Sequence, residues 1–157
     1  MIKKFFNKPI VIISFVLYLL LTLLIFISSL TSGEDSGEQS AFVWSIISNI
    51  LNIEGDYELF VRKALGHFSF FLTLAIFASV VYYRLVEITF TKHQKLYHVI
   101  ITLLVGMLTA TLAEVFQLPI FVSGRSANIV DVLIDFSGFV LGFILYSFIK
   151  FLRLKKA

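Results

Sequence analysis

The sequence predicts an all-α, polytopic integral membrane protein with four transmembrane helices and a short amphipathic helix in the first loop. Three observations predict it. Of 157 residues, 59% are hydrophobic and 15% charged, and the mean hydropathy is +0.96; a soluble domain of this size does not bury that much apolar surface. Four nearly charge-free runs have the length that crosses a hydrocarbon core of about 30 Å at about 1.5 Å per residue. The basic residues collect on alternate connections, as they do between membrane spans. One membrane domain over residues 1–157 follows. The absence of cysteine excludes disulfides and thiolate metal sites. The pI near 9.2 reflects basic membrane flanks, and no nucleic-acid partner is expected.

The first span covers residues 9–30 and contains no charged residue. Its basic flank "MIKKFFNK" resembles the start of a signal peptide. Its apolar run exceeds the usual 7–15 residues, however, and "SSLTSG" makes a poor cleavage site, so it reads as an uncleaved helix. Residues 31–63 form the first outer loop. "TSGEDSGEQS" reads as a mobile polar linker. In "AFVWSIISNILN", Trp44, Ile47 and Leu51 recur at helical spacing, the pattern of an amphipathic helix on a leaflet. The second span covers 64–83, the third 97–118 and the fourth 129–149.

Ten of the thirteen basic residues (Lys3, Lys4, Lys8, Arg84, Lys92, Lys95, Lys150, Arg153, Lys155 and Lys156) flank one set of helix ends. Arg62, Lys63 and Arg125 flank the other. The positive-inside rule then places both termini in the cytoplasm of a multi-pass protein. The acidic Glu34, Asp35, Glu38, Glu54, Asp56 and Glu58 all fall in the first outer loop, in agreement.

Polar residues converge at the outer helix ends. "VRKALGHF" opens the second span with Lys63 and His67, four residues apart and hence on one face. "LAEVFQLP" closes the third with Glu114 and Gln117. The fourth opens with Arg125, Asn128, Asp131 and Asp135. An intramembrane charge costs about 2.5–3.5 kcal/mol on insertion scales, so such residues mark a pathway or a site by default. Ion pairing that fixes helix register is the competing structural explanation. Asn128, Asp131, Asp135, Gly138 and Gly142 lie along one stripe, which continues from polar to small residues. Small residues let membrane helices approach closely, so Gly106 and Ala110 of the third span are expected to pack against Gly138 and Gly142 of the fourth.

The ordered set "RKALGHF", "AEVFQ" and "GRSANIVDVLIDFSGFVLG", over residues 60–145, resembles the VanZ-like family of bacterial membrane proteins. The match rests on Lys63, His67, Glu114, Gln117, Arg125, Asp131 and Gly138. Asp135 departs from it, because members usually carry Asn there. The resemblance implies a location in the bacterial cytoplasmic membrane and a link to resistance to teicoplanin-type glycopeptides, which bind peptidoglycan precursors outside the membrane.

Two functions stay open. In the favoured one, Lys63, His67, Glu114, Gln117, Arg125, Asp131 and Asp135 bind an anionic lipid head group, a lipid-linked cell-wall precursor or a glycopeptide. In the other, Glu114, Asp131 or His67 performs acid–base catalysis on such a substrate, or His67, Glu114, Asp131 and Asp135 ligate a divalent metal. No cofactor motif is evident. The spacing Arg125-x5-Asp131-x3-Asp135 is similar to one motif of membrane phosphatidic acid phosphatases, but the nucleophilic His and the P-S-G-H motif are missing. A transporter is disfavoured by four helices without an internal repeat, although a homo-oligomer would supply more.

Overall fold

The computed structural model describes residues 8–52, 62–89 and 92–155. Lys3, Lys4, Glu54, Asp56, Glu58 and Lys156, which entered the charge reading, lie outside the described residues. Helix α1 is Pro9–Ser29 and α2 is Gly33–Leu51. A seven-residue π-helical segment, Arg62–Phe68, runs into α3, Ser69–Thr89. Helix α4 is Lys92–Val115 and α5 is Ile129–Lys155. Within these, Pro9–Ser29, Gly66–Val86, Leu96–Val115 and Ile129–Arg153 are long and apolar enough to cross a membrane.

The last turns of α1 and α4 meet the first turns of α3 and α5 at one end of the bundle. Arg125 reaches Ser28 and Ser29, Glu114 reaches Asn128, and His67 reaches Asp135. Helices α1 and α4 therefore run toward this end, and α3 and α5 run in parallel away from it. At the other end the rings of Tyr83 of α3 and Tyr146 of α5 meet at a tilt of 41°, their centroids 5.7 Å apart. The core consists of Phe71, Leu74, Ala75 and Tyr82 of α3, Ala110 and Ala113 of α4, and Val132, Phe139 and Phe143 of α5, with Ile25 of α1. Large apolar side chains cover the outside, among them Leu23, Leu104, Ile144 and Phe148, as lipid contact requires. Five hydroxyls within the spans are satisfied locally. Thr22, Ser29, Ser79, Thr109 and Ser147 each donate to the carbonyl four residues back, so none costs an unsatisfied group in hydrocarbon.

Element bounds differ from the sequence expectation in ways that have physical causes. Helix α4 stops at Val115 rather than 118. Its end tightens through i→i+3 bonds from Gln117 to Glu114 (3.0 Å) and from Leu118 to Val115 (3.1 Å), because Pro119 disfavours helical backbone at the residue before it. The expected mobile linker at 31–40 is instead the start of α2. Ser32 caps it, its hydroxyl oxygen accepting from the Asp35 N–H at 3.1 Å, and Glu34 and Asp35 suit the positive end of the helix dipole.

The expected glycine pairing is also corrected. Gly138 and Gly142 close onto α3 and the turns before it, not onto α4. A Cβ on Gly138 would collide with the backbone of Phe68, and one on Gly142 with that of Leu72. Gly106 of α4 instead makes room for the ring of Phe139 of α5, which is fully buried. The glycine stripe of α5 follows its aspartates, and Lys63 and His67, which pair with those aspartates, stand at the start of the second span.

Candidate functional site

Lys63 and His67 sit on the π-helical turns, one turn apart; Asp131 and Asp135 sit one turn apart on the facing stripe of α5. The ammonium of Lys63 donates to Asp131 Oδ1. The Nδ1 of His67 lies 3.1 Å from Asp135 Oδ1, a hydrogen bond in which the ring N–H donates. The two rungs share an offset of 68 residues, as parallel helices in register require. Asp131 also occupies the first turn of α5, where the helix dipole favours an anion. Asn128 accepts from the Val130 N–H at 2.9 Å and serves as a cap.

Glu114 is buried behind this ladder. Its Oε1 accepts from Gln117 Nε2 at 2.8 Å and its Oε2 from the Asn128 backbone N–H at 3.0 Å. Its Oε1 also stands 4.0 Å from His67 Nδ1. The side chain of Asp135 is 1% exposed. Its Oδ2 is buried with no hydrogen-bond partner among the described residues.

Arg125 lies farther out. It donates to the carbonyls of Ser28 and Ser29 at 3.2 and 3.3 Å and to the hydroxyl of Ser36. A guanidinium here satisfies the free carbonyls at the end of α1 and complements the negative end of its dipole. The same corner is closed by the Gly33 N–H, which donates to the Ser123 carbonyl at 3.1 Å. A Cβ on Gly33 would strike the Gly124 carbonyl, and Gly124 itself has φ +70°, a conformation that favours glycine.

All seven residues anticipated as a site thus reach one end of the bundle, but they do not form one cluster. Lys63 and Asp131 pair with each other, and Arg125 ties α1 to α2. His67, Glu114 and Asp135 gather in the interior, with one ligand atom from each mutually within 4.8 Å. Asp131 does not join that group.

A cavity of about 330 Å³ opens beside them. Polar groups of Ser36, Gln39, Gln117, Arg125, His67 and Asp135 line it together with apolar Ile25, Val43, Phe70, Phe71 and Ala113. The wall supplied by α2 was not anticipated from sequence. Its signals are present in "SGEDSGEQS": the capping spacing Ser32-x2-Asp35, and Ser36 and Ser40 at i and i+4. Both serines are buried.

No curated protein and no solved structure matches the chain. The family model described as VanZ/LLP1 matches residues 14–150. That range takes in the second and third spans whole, most of the first and fourth, and every residue of the buried cluster, and the chain belongs to the VanZ/LLP1 family.

Proposed function

We propose that the cavity receives the polar head of a cell-envelope amphiphile, an anionic lipid head group or a lipid-linked cell-wall precursor, at the outer face of the cytoplasmic membrane. The observation that carries this reading is a cavity of about 330 Å³ inside a membrane-spanning bundle, walled by both polar and apolar side chains. Sites for small ligands begin at about 300 Å³ and combine apolar walls with a few placed polar groups. Ile25, Val43, Phe70 and Phe71 suit the first carbons of a lipid chain. Ser36, Gln39, Gln117, Arg125 and His67 suit its oxygen-rich head, and Asp135 orients His67 on the same wall. The bias of basic residues toward the opposite end supports an outward-facing cavity. A role in teicoplanin-type resistance is consistent with that position, since such drugs meet their precursors there.

The test fills the cavity. Val43 lines it and is 40% exposed. In full-length protein in nanodiscs, Val43→Trp is expected to weaken retention of phosphatidylglycerol or of a polyprenyl diphosphate at least tenfold by native mass spectrometry. Unchanged retention of both probes overturns the reading. A second reading, catalysis on the same class of molecule, is favoured by the hydrogen-bonded His67–Asp135 pair on the cavity wall, a general acid–base arrangement. Turnover of the polyprenyl diphosphate during incubation separates it from binding alone.

A further inference from the structure

We propose that His67, Glu114 and Asp135 bind one divalent cation of the zinc class beside the cavity. This goes beyond head-group binding and depends on three side chains, whichever amphiphile the cavity takes.

Three elements contribute one donor each: the π-helical turns before α3, the last turn of α4 and the second turn of α5. The three donor atoms lie within 4.8 Å of one another. Zinc ligands at about 2.0–2.1 Å in tetrahedral geometry stand about 3.3 Å apart. The His67 Nδ1 to Asp135 Oδ1 distance is already 3.1 Å. To reach that ligand spacing, the 4.0 Å from Nδ1 to Glu114 Oε1 closes by about 0.7 Å and the remaining Glu114–Asp135 edge, within 4.8 Å, by up to about 1.5 Å, both by side-chain adjustment.

A separate observation points to a missing partner. Asp135 Oδ2 is buried and has no hydrogen-bond partner among the described residues, on a side chain 1% exposed that also lines the cavity. A buried carboxylate oxygen left unpaired carries its full desolvation cost. A cation bound to the Asp135 carboxylate lowers the charge left on that oxygen and so offsets part of the cost.

Charge balance agrees. Lys63 is engaged by Asp131, so Glu114 and Asp135 share the interior with His67. Two carboxylates and a neutral imidazole carry two negative charges, which one divalent cation cancels. Glu114 is oriented from behind by Gln117 and the Asn128 N–H, the kind of support that holds metal-ligating carboxylates. An imidazole nitrogen with two carboxylates suits zinc-like ions better than calcium or magnesium, which prefer all-oxygen shells. Three protein ligands leave a fourth position open. With His67 and Asp135 both lining the cavity, that position is available to a water or to a head-group oxygen.

The test uses the full chain in detergent, with any affinity tag removed, stripped with chelator and titrated with Zn²⁺ alone. The expected result is one equivalent bound. Asp135→Asn and His67→Gln are each expected to weaken binding more than about 100-fold, since even groups that merely support a metal ligand are worth 10–100-fold. His98→Gln, in the first turns of α4 at the opposite end, is expected to leave the stoichiometry unchanged. Circular dichroism and size-exclusion chromatography establish that each variant is folded. Co²⁺ added to the unsubstituted chain is expected to give visible d–d bands, which requires no variant. Absence of those bands, or Zn²⁺ binding that Asp135→Asn and His67→Gln leave intact, overturns the proposal and leaves a metal-free His–Asp hydrogen bond. Head-group retention is measured separately in the presence of chelator, so failure of the cation site and failure of the amphiphile reading are distinguishable.

Discussion

Lys63 and His67 form two rungs of a ladder with Asp131 and Asp135, and the rungs differ in kind. Lys63–Asp131 is the outer pair, with side chains 25% and 15% exposed. His67–Asp135 is the inner pair and shares its space with Glu114. The i,i+4 spacing on each side was legible in the sequence, as was the collection of these residues at one end. Their pairing was not, because a stripe on one helix does not name the helix it faces. Arg125 shows the same limit: its charge is visible in the sequence, but the end of α1 that it caps comes near only through the fold. The outer rung gives a residue-scale prediction. Lys63→Met strands a partly buried aspartate, whereas Lys63→Met with Asp131→Leu removes both charges. In thermal or denaturant unfolding the single variant is expected to be less stable than the double, with a coupling energy of about 0.5–3 kcal/mol in the double-mutant cycle. A coupling of zero shows that the rung contributes nothing to register.

Among the elements, α3 and α5 set the geometry of the cluster. Gly138 and Gly142 bring α5 against the backbone at Phe68 and Leu72, directly below the ladder, so close packing and charge pairing lie on one stripe. Gly138→Ala forces a methyl group into the Phe68 backbone and is expected to cost about 1–3 kcal/mol, the range for overpacking. Gly37→Ala, in α2 with nothing within 4 Å of the new methyl, is expected to be neutral or to stabilise by up to about 1 kcal/mol through helix propensity. Unfolding midpoints of the two variants check the contrast, and equal effects contradict the seam. The four spans were legible because apolar runs of this length have few alternatives in a membrane protein. Their ends were less so: Pro119 stops α4 early, and the π-helical turns at Arg62–Phe68 leave no mark in the hydropathy pattern. Helix α2 was under-read because its polar first half resembles a linker, although Ser32 and Asp35 cap it and Ser36 and Ser40 turn inward.

At the scale of the whole molecule, an apolar exterior surrounds one polar interior end. A network that only fixes helix register and a working site differ in what they lose when the charges of that end are removed. Replacing a buried charged group together with its partner by neutral groups of similar shape is often tolerated or even stabilising, so a structural role and a binding role separate cleanly in a paired substitution. The most direct measurement takes full-length protein carrying both His67→Gln and Asp135→Asn, and compares it with the unsubstituted chain for unfolding midpoint and for native-mass-spectrometric retention of a polyprenyl diphosphate or phosphatidylglycerol. The account predicts a folded protein with a midpoint close to that of the parent and retention reduced at least tenfold. A folded double variant that keeps both probes as well as the parent does would contradict it.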